Sequence, residues 1–281
     1  MTTRRNFLKN MTLMTGVLAT SKLQAGSLPG KKMKIGIQLW TIRDVINSDL
    51  SATLTSLSKF GYNSLEPYGF DGNFYGYTAK EFRKLCDNLG MDITSTHCGI
   101  NIENAALFTE KAAEAGLEYL VLPSFNGRPE KTLDDFKKAA DEMNRIGEIT
   151  KKSGITFGYH NHNFEFQPME GKLPYDILLA ETDPKLVTFQ MDIFWVIKGG
   201  QKPEQYFDQH PGRFQLWHIK DMGNDGNSCI VGNGRIDFKE LMKQSKKAGL
   251  KRIVYEQEQY AEGTPLYCSE QSIKYIQKYL I

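Results

Sequence analysis

The sequence predicts an α/β protein with the (β/α)8 TIM barrel fold, and three observations support this prediction. Short apolar runs rich in β-branched residues alternate with amphipathic segments, which is the pattern of repeated βα units. Eight units of each kind fit into about 250 residues, which is the size of one such barrel. No GxGxxG motif follows the first apolar run, so an open doubly wound sheet is the less favoured alternative.

Composition places the chain among ordinary globular proteins. Of its 281 residues, 40% are apolar and 24% are charged, which is enough for one large core or two small ones. It contains neither a low-complexity tract nor a solenoid-type repeat. The four cysteines form no CxxC pair, and we interpret them as structural or unpaired.

The first 25 residues are predicted to be a cleaved twin-arginine export signal. The segment RRNFLK at residues 4–9 is followed by a weakly apolar run at 11–20 and by small residues near Ala25, which is the order of such signals. The run is too short to span a bilayer, and a basic amphipathic helix is the alternative. We therefore expect the twin-arginine export machinery as a partner of the precursor, a periplasmic mature protein and no stable membrane association.

Removing this signal changes the charge of the protein. The whole chain has 35 basic and 33 acidic residues; residues 1–25 contain four bases and no acid, so 31 bases remain against 33 acids. The mature protein has no clustered positive charge of the kind that grips a phosphate backbone. Nucleic acid is therefore not an expected partner, and residues 33–281 are predicted to form a single catalytic TIM-barrel domain.

The eight predicted strands are short and mostly apolar. They cover 34–40, 64–68, 92–97, 119–123, 155–162, 186–192, 214–220 and 252–258.

Eight helices are predicted between and after these strands. Several end at a glycine, the residue that most readily adopts the left-handed backbone at a helix end. They cover 48–61, 78–90, 103–116, 132–154, 174–182, 202–212, 237–249 and 268–280.

Ionisable and aromatic side chains gather where the predicted strands end. On a (β/α)8 barrel the active site lies at the carboxyl ends of the strands, and four of the five histidines fall there. The candidates are Trp40, Glu66, His97, His160, His162, Glu165, Asp192, Trp195, His218, Lys220, Glu256 and Glu258.

Burying so many ionisable groups at the mouth of an apolar barrel costs free energy unless an opposite charge pairs with them. Carboxylates of the fifth, sixth and eighth strands with an imidazole of the seventh form a mixed oxygen and nitrogen ligand set. Such a set suits one divalent metal ion, Mn²⁺, Mg²⁺, Co²⁺ or Zn²⁺, rather than a thiolate-bound structural zinc.

Five motifs in order carry a family resemblance. The segments YHNHNFEF, MDIFW, WHIKD, VGNGRIDF and VYEQE follow IGIQLWTIRD and resemble the sugar phosphate isomerase/epimerase group within the xylose-isomerase-like TIM barrels. The likeness covers residues 33–281. It implies a (β/α)8 barrel that uses one divalent metal to isomerise, epimerise or dehydrate sugars and related polyols.

By this resemblance, Asp192, His218 and Glu256 are the metal ligands that carry over. Many relatives have a glutamate-asparagine-histidine run in strand 5, where this chain has His160, Asn161 and His162. Either Glu165 completes the carboxylate set or His160 takes the ligand place, and we favour Glu165.

Trp195 is a second departure from the family pattern. It stands where ketose 3-epimerases of this family keep a substrate-binding histidine, and its indole would offer a stacking face for a sugar ring. This departure leaves room for a glycoside or an oxidised sugar as substrate.

The predicted metal ligands and the nearby histidines suit proton abstraction next to a carbonyl. A metal that chelates a carbonyl and the neighbouring hydroxyl makes the adjacent C–H acidic, and a base then removes the proton to form an enediolate. His162 and His160 are the favoured bases, with Glu165 and Glu256 as alternatives. Lys220 would steady a developing oxyanion.

The remaining candidates are expected to contact the substrate. Trp40, together with Tyr68, would form an apolar wall, and Glu66, His97 and Glu258 would contact the substrate or support the residues that do. Two of these have plain structural alternatives, because Glu66 could be an ordinary hydrogen-bonding group and His97 a core histidine.

The expected function is a periplasmic, metal-dependent sugar isomerase or epimerase that acts on a keto-sugar or keto-glycoside. A lyase or dehydratase would use the same enediolate chemistry. From another class, a non-catalytic carbohydrate-binding barrel would keep the metal without the reaction. The endonucleases of this fold are disfavoured by the missing basic face.

Overall fold

Nine short parallel strands form one sheet that closes into a barrel in a computed structural model, which describes residues 33–125 and 131–281. The described strands are β1 (Ile35–Gln38), β2 (Ser64–Glu66), β3 (Asn73–Phe74), β4 (Tyr77–Thr78), β5 (Asp92–Ile93), β6 (Ser95–His97), β7 (Tyr119–Leu122), β8 (Thr156–His160), β9 (Val187–Asp192), β10 (Leu216–Ile219), β11 (Asp221–Met222), β12 (Ser228–Cys229) and β13 (Arg252–Tyr255). The order of strands in the sheet is β5-β2-β1-β13-β10-β9-β8-β7-β6. Two antiparallel hairpins, β3–β4 and β11–β12, lie outside this sheet.

The barrel closes at Thr94, which lies between β5 and β6. The Thr94 N–H donates to the Leu65 carbonyl on one side (3.3 Å), and its own carbonyl accepts from Tyr119 N–H on the other (3.1 Å). The predicted strand 92–97 therefore pairs with both of its neighbours, and the two ends of the sheet are halves of one strand.

Helices follow the strands and cover the outside of the barrel. The described helices are α1 (Arg43–Ile46), α2 (Leu50–Phe60), α3 (Ala79–Asn88), α4 (Ala105–Ala115), α5 (Leu133–Lys151), α6 (Pro174–Glu181), α7 (Ile193–Lys198), α8 (Pro203–Gln209), α9 (Phe238–Lys243), α10 (Ser245–Ala248) and α11 (Pro265–Tyr279), with 3-10 turns at Leu39–Ile42 and Phe164–Phe166. Both α3 and α5 begin with a capping box, in which the threonine and the acid at the third helical position satisfy each other's exposed N–H groups.

The predicted fold class is confirmed, with differences at element ends. All eight predicted strands are present, each shorter than the apolar run that predicted it. The helix predicted over 237–249 is divided at Gln244 into α9 and α10. The last helix begins earlier than predicted, at Pro265, because Thr264 caps it by accepting from the Tyr267 N–H.

Met33–Ile281 forms one compact unit. Its core runs between the sheet and the surrounding helices, and large aromatic side chains such as Trp217, Phe189 and Tyr175 are fully buried in it. The four cysteines are free thiols. The predicted export signal at residues 1–25 lies outside the described residues. Within the described part, none of the helices combines the length and the apolar character that a membrane span requires.

Candidate active site

Four buried side chains from four neighbouring strands converge at the carboxyl end of the barrel. His160 ends β8, Asp192 ends β9, His218 lies in β10 and Glu256 directly follows β13. One potential ligand atom from each lies within 4.8 Å of those of the others. Three of the four are the predicted ligands that carried over by family resemblance, and the fourth is His160.

Asp192 has one oxygen left for a further partner. Its Oδ1 accepts from the Trp195 N–H (3.1 Å) and so caps α7. Its Oδ2 is buried and has no hydrogen bond to any residue that the structure describes. Burial raises the pKa of Asp192 to about 6, a rise that Lys220 limits and Glu256 reinforces. An unbonded buried carboxylate oxygen beside two imidazoles and a second carboxylate fits a divalent cation.

His218 lies between two carboxylates. Its Nδ1 is 3.1 Å from Glu256 Oε2, and its Nε2 is 2.7 Å from Glu66 Oε1. Burial alone would lower the pKa of His218, but Glu256 and Glu66 raise it to about 10. Burial alone would also raise the pKa of Glu256, which Lys220 and His218 instead hold below its usual range. Without a cation, the protonated ring therefore supplies positive charge to this cluster.

Lys220 supplies the second positive charge. Its ammonium is 3.3 Å from Glu256 Oε2 and 3.6 Å from Asp192 Oδ2, and it also contacts the Glu258 carboxylate. Burial alone would lower the pKa of Lys220, but these carboxylates raise it, so the side chain stays charged. Lys220 and Glu258, which were predicted for catalysis and substrate binding, thus form an ion pair beside the four potential ligands.

Glu165, the favoured fourth ligand in the sequence-based prediction, lies outside this group. Its carboxylate accepts from the Tyr159 hydroxyl (2.7 Å) and from the His162 backbone N–H (2.9 Å). Tyr159 packs against Phe125 and Phe189 of the core, and the 3-10 turn at Phe164–Phe166 directs Glu165 back toward it. The structure thus places His160, the alternative to Glu165, within the group of four potential ligands.

Glu66 was predicted to contact the substrate, but the structure places it away from the cavity lining. It is fully buried, and its carboxylate accepts hydrogen bonds from Gln38 Nε2 (2.8 Å), Gln190 Nε2 (2.6 Å) and the Ser95 hydroxyl in addition to His218. This is the structural alternative considered for Glu66, and it places the carboxylate beneath the site rather than on its wall.

A cavity of about 540 Å³ opens beside His160 and Glu256, two of the four potential ligands. Trp40 and Phe164 are partly exposed at 43% and 42%, and Tyr68 packs edge-on against Trp40. The cavity has an aromatic rim and a floor of ionisable groups, as small-molecule sites commonly do. Its described lining is Trp40, Tyr68, Gly69, His97, Cys98, Gly99, Pro123, Ser124, His160, His162, Asn163, Phe164, Glu256 and Glu258.

His162 stands on the cavity wall as a neutral imidazole. Burial, together with the positive charge of Lys220, lowers its pKa to about 4. Its Nδ1 has no hydrogen-bond partner among the residues that the structure describes. Burial and the neighbouring His218 likewise lower the pKa of His160 well below its ordinary value. Neutral imidazoles can accept a proton or bind a cation.

Trp195 does not line the cavity, in contrast to its predicted stacking role. The Lys220 ammonium lies 4.6 Å and the Lys198 ammonium 5.2 Å from its ring centroid. These cation–π contacts place two ammonium groups against the indole ring that was predicted to stack on a sugar.

Gln190 is the main site residue that the sequence analysis missed. It contacts Glu66, His97 and His160. Its position carried a usable signal, because it precedes Asp192 by two residues in the same strand and therefore faces the same side.

The fold and the convergent ionisable groups define a TIM barrel with a candidate divalent-metal site. The family model described as xylose isomerase-like TIM barrel matches residues 54–279. The chain belongs to this family.

The names of individual relatives are those of enzymes. An inosose dehydratase from Geobacillus thermodenitrificans is 26% identical over 45% of this chain and 48% of its own length. Another, from Bacillus licheniformis, is 25% identical over 72% of this chain and 70% of its own length. The first four curated relatives are matched over only 48–58% of their length.

A solved structure matches nearly the whole chain. A sugar phosphate isomerase/epimerase from Parabacteroides distasonis is 30% identical, with a TM-score of 0.81, over 92% of this chain and 99% of its own. The names of these relatives support the prediction that the chain is an enzyme.

Proposed function

We propose that this chain is a divalent-metal-dependent enzyme that removes a proton next to a carbonyl of a keto-sugar or keto-glycoside and completes an isomerisation or epimerisation. One observation carries the proposal. A neutral imidazole, His162, lines an aromatic-rimmed cavity together with His160 and Glu256, which belong to the group of four potential metal ligands.

His160, Asp192, His218 and Glu256 would hold the cation. Two nitrogen and two carboxylate oxygen donors suit Mn²⁺, Co²⁺ or Zn²⁺, and also Mg²⁺ where water completes the ligand set. When bound, such an ion polarises a carbonyl and a neighbouring hydroxyl.

His162 is the proposed base. Its ring is neutral near pH 7 because its pKa is lowered to about 4, so the lone pair is available to accept the proton. Lys220 remains an ammonium close to the same carboxylates and would stabilise the negative charge of the enediolate oxygen. Trp40 and Phe164 would exclude water and support the apolar faces of the sugar.

A lyase or dehydratase is the second candidate, and the inosose dehydratase relatives favour it. The first step is the same removal of a proton next to a carbonyl. The two reactions then differ in whether the proton returns to carbon or a β-substituent leaves.

The test is deuterium incorporation from D₂O, followed by NMR, with metal-analysed protein and a panel of keto-sugars, 3-keto-glycosides and inosose. Exchange at the carbon next to the carbonyl supports the proposal; a new stereoisomer then identifies an epimerase, and release of water or aglycone a lyase. His162→Ala should retain the metal and lose exchange. His210→Ala is the matched control, because His210 lies outside the site and should change neither.

Binding of sugar and metal without exchange for any substrate would instead support a non-catalytic carbohydrate-binding barrel. Protein that contains no divalent metal, and takes up none in dialysis, would contradict the proposed function directly.

A further inference from the structure

We propose that the buried carboxylate of Glu66, directly and through Gln190, sets the tautomers of His218 and His160 so that both rings direct a lone pair to the same cation. Glu66 and Gln190 are then positioning residues for the metal site. This inference rests on the proposed function, because it assigns a role within the metal site proposed there.

A backbone N–H group fixes the orientation of the Gln38 amide. The Trp40 N–H donates to the Gln38 side-chain oxygen, Oε1 (3.0 Å). The Gln38 amide nitrogen, Nε2, is therefore the atom that faces Glu66 Oε1 (2.8 Å). Since an amide nitrogen only donates, this Glu66 oxygen must accept.

The same Glu66 oxygen lies 2.7 Å from Nε2 of His218. An accepting carboxylate oxygen at this distance requires a hydrogen on that nitrogen. A cation can bind only the neutral form of this ring, in which the lone pair is then on Nδ1. Nδ1 is the atom that lies 3.1 Å from Glu256 Oε2 and 3.9 Å from Asp192 Oδ2, so it points to the other potential ligands.

Gln190 connects Glu66 to His160 and fixes the tautomer of that ring as well. Its Nε2 is 2.6 Å from Glu66 Oε2, an oxygen that also contacts the Ser95 hydroxyl. The reverse amide orientation would put two oxygens against each other, so the amide nitrogen donates to Glu66. The amide oxygen, Oε1, then faces His160 Nδ1 at 3.1 Å. That nitrogen must carry the hydrogen, which leaves the His160 lone pair on Nε2.

The third imidazole, that of His97, takes part in the same hydrogen-bond network. Its Nε2 is 2.6 Å from the accepting Gln190 oxygen and 3.2 Å from Glu66 Oε1, so this nitrogen is also held as a donor. A group of His97, His160 and His218 is compact enough to be considered as a metal site. The group that contains Asp192 and Glu256 is the one that includes the buried Asp192 Oδ2, which has no hydrogen bond to any described residue.

The tautomer matters because an N–H directed at a cation cannot coordinate it. A ligating histidine usually donates its other ring N–H to a carboxylate or carbonyl, and removing that partner typically lowers metal affinity about 10- to 100-fold. Here one carboxylate supplies this partner to one ring directly and to the other through a single amide.

The test uses protein labelled with ¹⁵N at its five histidines. Long-range ¹H–¹⁵N spectra of the Zn²⁺-loaded wild type should show His218 with hydrogen on Nε2 and His160 with hydrogen on Nδ1. The opposite tautomer at either ring would overturn the inference, and this measurement needs no variant to fold.

Zn²⁺ affinity, measured by competition with a chromophoric chelator, gives the second readout. Glu66→Gln and Gln190→Met should each bind Zn²⁺ about 10- to 100-fold more weakly, with an unchanged circular dichroism spectrum. Ser95→Ala is the matched control, because it removes a hydrogen bond to Glu66 without touching a histidine, and it should bind like the wild type.

Wild-type affinity in both Glu66→Gln and Gln190→Met would refute this inference alone. A wild type that binds no divalent cation at all would refute the proposed function, and with it the role assigned to these two residues. Loss of affinity in Ser95→Ala equal to that in Glu66→Gln would indicate a general packing effect and would also count against the inference.

Discussion

Asp221 shows how one buried residue organises a whole loop. Its carboxylate accepts from the N–H groups of Met222, Gly232, Gly234 and Ile236. A Cβ at Gly234 would lie 2.2 Å from Asp221 Oδ1, so only glycine allows the backbone to approach so closely. The VGNGRIDF motif thus wraps a carboxylate adjacent in the chain to Lys220, and its Asp237 caps α9.

His162 leads to a prediction about pH. Its pKa is about 4 in the folded state, below the ordinary value of roughly 6.5. A lowered histidine pKa contributes stability that is present above pH 6.5 and lost as the pH falls toward 4. In metal-free protein we expect this residue to cost about 2 kcal/mol of unfolding free energy between pH 7 and 5.

Urea unfolding at the two pH values measures this effect. His162→Gln has no ionisable group at this position, so its stability should decline less than that of the wild type by the same amount. An identical decline in both proteins would show that the His162 ring is not shielded from protonation in the fold.

At the scale of the element, α5 packs closely against the strand that carries Asp192. An alanine Cβ at Gly147 would lie 2.6 Å from the Leu186 carbonyl oxygen and 2.9 Å from the Leu186 Cβ. Leu186 immediately precedes β9. The glycine therefore permits the contact that places this helix over the strand.

Gly147→Ala should destabilise the protein by about 1–3 kcal/mol, because overpacking a rigid contact outweighs the gain in helix propensity. At an exposed helix position the same change would stabilise by up to about 1 kcal/mol. Gly158→Ala in β8 is the control, since its Cβ would meet its nearest neighbour at an ordinary 3.4 Å. A higher melting temperature for Gly147→Ala would contradict this account of the packing.

At the scale of the whole molecule, the candidate metal site joins strands that are distant in the sequence. A cation held by β8, β9, β10 and the residue after β13 binds only the folded barrel. By mass action, a ligand at 100 times its dissociation constant adds about 2.7 kcal/mol to the folded state. We therefore expect EDTA treatment to lower the melting temperature and a stoichiometric divalent metal to restore it.

The comparison of treated and reconstituted protein by thermal unfolding checks this expectation. Asp192→Asn serves as the control: it keeps an oxygen to cap α7 but reduces the charge of the site, so its melting temperature should respond less to EDTA. An EDTA response as large as that of the wild type would mean that the stabilising ion binds elsewhere.

The export signal remains a prediction at this scale. We propose that the Arg4–Arg5 pair directs the precursor through twin-arginine translocation. Replacing both arginines by lysine preserves the charge, so export should fail only if the pair itself is recognised. Fractionation of cells that express the wild type or the double-lysine variant measures export. Equal recovery of the two proteins from the periplasm would contradict the proposal.

The sequence alone determined the βα alternation, the eight strands and the strand ends that carry ionisable residues, because hydrophobic periodicity and glycine helix stops are local properties. It also placed Asp192, His218 and Glu256 on one rim, since parallel strands in a barrel all end on the same side. The tertiary structure decided which neighbours each side chain meets. Glu165 turns toward Tyr159, Glu66 lies beneath the site and Gln190 joins it, because hydrogen bonding between distant strands depends on register and side-chain direction, and neither is encoded in any local stretch of the chain.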